Sequence, residues 1–238
     1  MLNDNKTEVI LFGPTQKTAT ISTSLGPLVC KPDVKNLGVI LDSSLKFDRQ
    51  INAVVKGAFF QLRQIAKIKN LLSRPDLEKV IHALISNRLD YCNSLYSGIT
   101  CASLSRLQLV QNAAARLLTG TRRWDHITPV LISLHWLPVK FRIHFKVLLF
   151  VYKALHSLAP PYITALIQPP DSTTTRQLRS ADQMQLKVPF VLLRQKGDRA
   201  FSVAAPTLWN SLPMGVKTAS SLAIFKNRLK TYLFSLAF

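Results

Sequence analysis

Acidic residues are scarce and scattered in this chain. Its 238 residues include 12 Asp and Glu against 31 Lys and Arg, which gives a formal net charge of +19. Phosphoryl-transfer sites that use Mg²⁺ need converging carboxylates, because the metal ions bridge the attacking and leaving oxygens. No Asp-Asp pair occurs, and Asp76 and Glu78 lie two apart on a predicted helix, so they point to different sides. We therefore expect no polymerase, endonuclease or ribonuclease H active site, no catalytic residue, and no enzyme activity.

Cysteine motifs and glycine-rich loops are absent as well. Three cysteines are an odd number without CxxC spacing, which supports neither a disulfide framework nor a zinc site. The five histidines include no pair four residues apart, and no GxGxxG or GxxxxGK[ST] segment is present. The sequence therefore predicts no metal ion, no cofactor and no small-molecule substrate.

Long apolar runs are missing. The longest, around residues 147–152, is flanked by Lys146 and Lys153 and falls short of the roughly 20 residues that span a bilayer. Met1 is followed by polar residues rather than by the apolar core of a signal peptide. We therefore expect no membrane partner and no secretory route.

Positive charge is spread along the whole chain. Between residues 91 and 170 the only acidic residue is Asp125, against eight Lys and Arg. Neutralising phosphates with such cations releases condensed counterions and gives affinity without base recognition. This distribution favours a polyanionic partner, although a basic protein with no nucleic-acid role remains an alternative.

The first 45 residues differ in pattern from the rest. Short β-rich runs separated by Gly-Pro and Lys-Pro turns predict antiparallel hairpins at residues 7–13, 18–22, 26–31 and 34–41. From Asp48 the apolar period becomes helical, with one face formed by Ile51, Val54, Val55, Phe59, Leu62, Ile65 and Ala66. Four cations on the same helix, spaced 7, 7 and 4 residues apart, share another face: Arg49, Lys56, Arg63 and Lys67. This helix is thus predicted to carry an apolar and a basic stripe.

Further helices follow from capping signals. Ser73 is predicted to start a helix over residues 74–96, and Ser103 one that runs to Thr119 and stops at Gly120. A short helix over residues 128–136, a long central one over 138–158 and a last one from about residue 221 are also predicted. Residues 159–201 are rich in Pro, Ser and Thr, which is typical of a linker, and we place a boundary near Pro170.

The predicted fold class is therefore mainly α, a helical bundle with a small N-terminal antiparallel β element. Three parts are expected: a β-rich part at residues 1–45, a helical bundle at 46–168, and a C-terminal extension with a terminal amphipathic helix at 169–238.

Three segments resemble one known family: NRLDYCNSL (residues 87–95), LQLVQNAAARLLTG (107–120) and DHITPVLISLHWLPVKFRIHFK (125–146). They are similar to the region downstream of the polymerase active site in the reverse transcriptases of LINE-type, jockey-like non-LTR retrotransposons. LNDNKTEVILFGP and VKNLGVILDSSLKFDRQI resemble the segments that follow the family's catalytic hairpin and close its palm. DRAFSVAAPTLWNSLP and FKNRLKTYLF resemble its C-terminus.

The resemblance implies that residues 1–45 are a remnant of a palm domain in which Met1 falls midway, and that residues 46–168 are thumb-like. The family's thumb holds the template-primer duplex or the element's RNA, so RNA or an RNA/DNA duplex, and the missing upstream polymerase domain, are the implied partners. The implied location is intracellular, with nuclear and cytoplasmic stages.

Candidate backbone contacts are the four cations of the basic stripe, Arg49, Lys56, Arg63 and Lys67, with Arg122 and Arg123 as a second patch. A solvated helix face with no ligand is the alternative for each. Trp124, Trp136 and Trp209 are candidates for base stacking, but their apolar neighbours favour core positions.

Three hypotheses follow. The first is a non-catalytic nucleic-acid-binding fragment of an RNA-directed DNA polymerase. The second is a translated genomic remnant of the element with no selected function. The third, a self-contained hydrolase or transferase, rests only on the unassigned histidines.

Overall fold

A computed structural model describes residues 7–12, 20–23, 26–169, 184–192 and 194–238. The described chain is mainly helical, with two small sheets near the N-terminus, one of three strands and one antiparallel sheet of two. The predicted fold class is confirmed.

The strands are short. Their bounds are β1 Val9–Ile10, β2 Thr20–Thr23, β3 Gly26–Lys31, β4 Asp33–Asn36 and β5 Val39–Asp42. β2 pairs with β3 and β4 with β5 in antiparallel fashion, whereas β1 pairs with β3 in parallel, which the prediction of hairpins alone missed. The single run predicted over residues 34–41 is wrong. Leu37 and Gly38 both have positive φ, 46° and 82°, and they form the two-residue turn that suits a twisted hairpin.

The helices occupy most of the chain from Asp48 onward. Their bounds are α1 Asp48–Ile68, α2 Arg74–Ile81, α3 Asn87–Asp90, α4 Cys101–Thr119, α5 Thr128–Ser133, α6 Val139–Leu155, α7 Pro161–Thr164, α8 Arg194–Gly197, α9 Phe201–Asn210, α10 Met214–Lys217 and α11 Leu222–Ala237. Ser221 caps α11 by accepting a hydrogen bond from the amide of Ile224, 3.3 Å away, as expected of a helix that starts there.

The helix predicted over residues 74–96 ends early. α2 passes through a π-helical turn, His82–Ser86, into α3, and the chain then leaves the helix at Tyr91. The Tyr91 hydroxyl donates to the carbonyl oxygen of Leu37 in the β4–β5 turn, 2.6 Å away. Cys92 adopts a left-handed conformation with φ 51°, and a 3₁₀ turn follows. A tertiary contact therefore replaces the last helical turns that the local pattern favoured.

The start of α4 also differs from the prediction. Thr100, not Ser103, is the N-cap, and its hydroxyl accepts a hydrogen bond from the Ser103 amide at 3.2 Å. Ser103 is buried, and its hydroxyl donates to Asp48 at the start of α1, 3.3 Å away. The predicted stop at Gly120 is confirmed, because this glycine has a φ of 73° just after the helix.

Two hydrophobic cores share one helix. The N-terminal core is formed mainly by α1 to α5, and the C-terminal core by α6, α9, α10 and α11. Val139 and Ile143 of α6 lie in the first core, whereas Val147 and Val151 lie in the second. The central position predicted for this helix is thus observed. The boundary predicted near Pro170 lies outside the described residues.

Candidate nucleic-acid interface

The basic stripe lies on the open face of α1. Its opposite face is buried in the N-terminal core through Gln50, Ile51, Val54, Ala58, Leu62 and Ile65. Val55 and Phe59 are half-buried at its edge, and Ala66 is exposed, contrary to the predicted apolar face. Arg49, Lys56, Arg63 and Lys67 are all exposed. Their spacing places them within one narrow row along the helix.

The start of α1 is fixed to the β4–β5 hairpin. Asp42 accepts hydrogen bonds from the Ser44 hydroxyl at 2.5 Å and from the Phe47 amide at 2.6 Å. Burial acts to raise the pKa of Asp42, but these bonds and others from backbone amides hold it below its ordinary value. Gln50, buried on the first turn, accepts from the Ile40 amide at 2.9 Å. The stripe therefore begins on a rigid support.

Within the described residues, the acidic side chains that belong to α1 or pair with its stripe lie at its first turn. Arg49 pairs with Asp33 of β4, and Asp48 is the only acidic residue of α1. Within the described parts of the chain, Lys56, Arg63 and Lys67 take part in no ion pair. Phe60, half exposed, lies between them on the same face. Three of the four cations are thus available to a phosphate backbone.

Two arginines from other helices border the stripe. Arg106 of α4 donates to the side chain of Asn52 on one side. The guanidinium of Arg88, from α3, lies against Gly57 on the other side, where a side chain on residue 57 would clash with it. Sequence reasoning missed both, because nothing in the local spacing of α3 or α4 relates them to α1.

The second patch lies in the loop after α4. α1 and α4 pack along each other and run in the same direction, because Asp48 contacts Ser103 and Asn52 contacts Arg106. The loop therefore lies toward the end of the stripe that carries Lys67.

The loop of the second patch is itself well ordered. The Arg116 guanidinium donates to the carbonyl oxygens of Arg122 and Asp125, at 3.2 and 3.0 Å. The Asp125 carboxylate accepts from the Arg122 amide at 3.0 Å. The side chains of Arg122 and Arg123 remain exposed. The loop presents two cations on a backbone that hydrogen bonds hold in place.

The three tryptophans have different environments. Trp124 is 78% exposed beside Arg123, so it is the one that a base can reach. Trp136 and Trp209 are buried, and the indole N–H of Trp209 donates to the carbonyl oxygen of Met184 at 2.9 Å. The core interpretation is confirmed for these two, and base stacking is excluded in this conformation.

The described histidines, cysteines and carboxylates do not gather into a metal site. No group of three or more His, Cys, Asp and Glu side chains comes close enough there to hold a metal ion. Burial and then the nearby Lys140 lower the pKa of His144 to about 4, so this histidine is neutral at physiological pH. The three cysteines are free thiols.

Comparison with protein-family models, with curated proteins and with solved structures found no match. The resemblance to non-LTR reverse transcriptases therefore stays a prediction that rests on the quoted segments. Among the described helices, none is both long enough and apolar enough to cross a membrane.

Proposed function

We propose that this chain is a non-catalytic, nucleic-acid-binding part of a non-LTR retrotransposon reverse transcriptase, and that it holds an RNA/DNA duplex or the element's RNA by phosphate contacts. One observation carries the proposal. Arg49, Lys56, Arg63 and Lys67 form a row of exposed cations along one helix, and the row is bordered by Arg88 and Arg106.

The length of the row suits an extended polyanion. Arg49 and Lys67 are 18 residues apart, which corresponds to about 27 Å along a helix. Successive phosphates of one strand are about 3.4 Å apart along a duplex axis. The row therefore extends past roughly eight phosphates, far more than a single small anion would need. The family resemblance supports the same function, because it assigns this region to the duplex-holding thumb.

The test measures binding of a fluorescently labelled RNA/DNA hybrid to the full chain across a salt series. Three phosphate contacts from the unpaired cations correspond to a slope of log affinity against log salt of about −2.7 on the B-DNA coefficient, and a fourth contact from Arg49 would bring it to about −3.6. Lys56→Gln, Arg63→Gln and Lys67→Gln combined should reduce the magnitude of this slope by about 2.7. Circular dichroism checks that each variant is folded.

A matched control separates position from net charge. Arg74 and Lys79 of α2 and Lys226 of α11 are exposed cations outside the row on α1, so the combined variant Arg74→Gln, Lys79→Gln and Lys226→Gln carries the same charge as the stripe variant. Its salt slope should remain close to that of the wild type. An equal decrease of the salt slope in the two variants would reject the stripe as the binding site. A folded wild-type chain without salt-dependent binding would instead favour a remnant of the element with no selected function.

A further inference from the structure

A cavity of about 380 Å³ lies where the two cores meet. This volume is within the range of small-molecule sites. The charged and polar side chains that line it come from five parts of the chain: Glu78 and His82, Asp90 and Asn93, His135, Arg142 and Lys146 of α6, and Lys230 of α11. We call it the α6/α11 cavity. It is distinct from the α1 stripe, since no stripe residue lines it.

One of the two carboxylates of the cavity is paired with a cation. Asp90 accepts two hydrogen bonds from the Arg142 guanidinium, one from Nε at 2.8 Å and one from Nη2. The Oε1 atom of Glu78 lies 3.6 Å from Nε2 of His82. Since Arg142 uses only its Nε and Nη2 in this pair, its Nη1 N–H groups remain for another acceptor.

Two ammonium groups of the cavity have no anion. Among the described residues, Lys146 and Lys230 take part in neither an ion pair nor a side-chain hydrogen bond. Arg142 and Lys146 are four residues apart on α6 and so share a face, where like charges destabilise a helix. Lys230 joins them from α11, which packs on α6. An anion bound among the three cations would remove this repulsion.

The cavity also contains a buried acceptor without a donor. Asn93 is 2% exposed, and its Nδ2 donates to Asp90 at 3.3 Å. No group of the described chain donates to its Oδ1. A buried acceptor left in this state costs stability.

We propose that the α6/α11 cavity binds a phosphate monoester, with Lys146, Lys230 and the free face of Arg142 as donors to its oxygens. A phosphate monoester carries a charge of about −1.5 to −2 and three strong acceptors, which matches the two unpaired lysines and the remaining N–H groups of Arg142. The side chains of Trp136 and Phe145 supply apolar wall for the organic part of the ligand. Two segments singled out in the sequence, residues 87–95 and 125–146, contribute most of this lining.

The proposal does not depend on nucleic-acid binding by the stripe. A free mononucleotide and the 5′-phosphate end of a strand both carry a phosphate monoester. The experiment tests each of them in a separate arm.

The first arm is calorimetric titration of the full chain with adenosine 5′-monophosphate and with adenosine, in a phosphate-free buffer. The monophosphate should bind at least about tenfold more tightly than adenosine, because adenosine lacks the phosphate that accepts a charge-assisted hydrogen bond. Lys146→Gln and Lys230→Gln should each weaken binding by about tenfold. Lys226→Gln, one turn away on α11 and outside the cavity lining, should leave it unchanged.

The second arm compares 5′-phosphorylated and 5′-hydroxyl oligonucleotides in the combined stripe variant Lys56→Gln, Arg63→Gln and Lys67→Gln, so that the stripe does not mask the end. A preference for the phosphorylated strand, lost in Lys230→Gln, assigns the site to strand ends. If neither the mononucleotide nor the phosphorylated strand binds in preference to its phosphate-free control, the proposal is overturned. Binding that persists unchanged in both lysine variants overturns it equally, since Lys230 is exposed and its substitution should not unfold the chain.

Discussion

The α1 stripe and the α6/α11 cavity present positive charge in two different ways. The stripe is carried by one helix and lies on an open surface, so it needs only the N-terminal core. The cavity takes Asp90 from α3, Arg142 from α6 and Lys230 from α11, so it exists only when the two cores are docked. The comparison shows that an extended site depends on one helix, whereas a concave site depends on the packing of the whole chain. A substitution that disrupts this packing should therefore weaken binding in the cavity and leave binding along the stripe unchanged.

Removal of the Phe225 side chain should have the largest effect. This ring is fully buried and stacks on Tyr152 of α6, with ring centroids 4.2 Å apart. Phe225→Ala should lower the free energy of unfolding by about 3–5 kcal/mol, as urea denaturation would measure. In the protein that remains folded, monophosphate affinity should fall because α11 is displaced, while the salt slope of duplex binding should stay.

Leu236→Ala is the control for this prediction, because Leu236 lies on the same helix and is 55% exposed. It should change stability by less than about 0.5 kcal/mol. A small effect of Phe225→Ala would mean that α11 does not hold the C-terminal core together, and the dependence of the cavity on docking would be wrong.

The Asp90–Arg142 pair should come next. Asp90→Asn leaves the guanidinium without its carboxylate in a partly exposed position, where the two side chains are 34% and 22% exposed. We expect a loss of about 1–2 kcal/mol in the free energy of unfolding. Phosphate affinity should rise at the same time, because Arg142 is released toward the cavity. Asp33→Asn breaks the pair with Arg49, whose side chain is 67% exposed, and should lower the free energy of unfolding less. An equal loss in both variants would contradict the expectation that the pair with the less exposed arginine contributes more.

Lowering the pH should lower the free energy of unfolding through His144 of α6, the helix that both cores share. His144 has a folded pKa of about 4 against an ordinary value of 6.5. Because the unfolded chain takes up the proton first, the contribution of this group to stability is complete well above pH 6.5 and is lost as the pH drops through 6.5 toward 4. Between pH 6.5 and 5.5 the loss from this group should be about 1 kcal/mol. Urea denaturation of wild type and His144→Gln at both pH values measures it, and equal pH dependence in the two proteins would contradict the prediction.

Local patterns account for the parts of the fold that sequence predicted well. The apolar period of α1, the Ser221 cap of α11 and the Gly120 stop of α4 depend on neighbours within one or two helical turns. The Leu37-Gly38 turn and the Thr100 cap were local features that the prediction missed. The largest error lies where a distant residue decides. The helix after Ser73 ends at Asp90 because Tyr91 bonds to Leu37, which is 54 positions away in the chain.

The same division applies to the candidate sites. The stripe was predictable because a spacing of 7, 7 and 4 residues on a helix is enough to align its cations. Arg88 and Arg106, which border it, belong to other helices and gave no local signal. The cavity needed the pairing of Asp90 with Arg142 and the docking of Lys230, and no periodicity encodes either contact.

The smallest effect is expected from the second patch, and it tests whether the stripe extends beyond α1. Arg122→Gln with Arg123→Gln should leave stability unchanged within about 0.5 kcal/mol, because both side chains are exposed and the loop is held by Arg116 through backbone carbonyls. The salt slope of duplex binding should lose about 1.8 if both arginines contact phosphates. Arg74→Gln with Lys79→Gln is the control of equal charge. If the two variants have the same slope as the wild type, the bound strand runs along α1 without reaching the loop, and the interface is confined to a single helix.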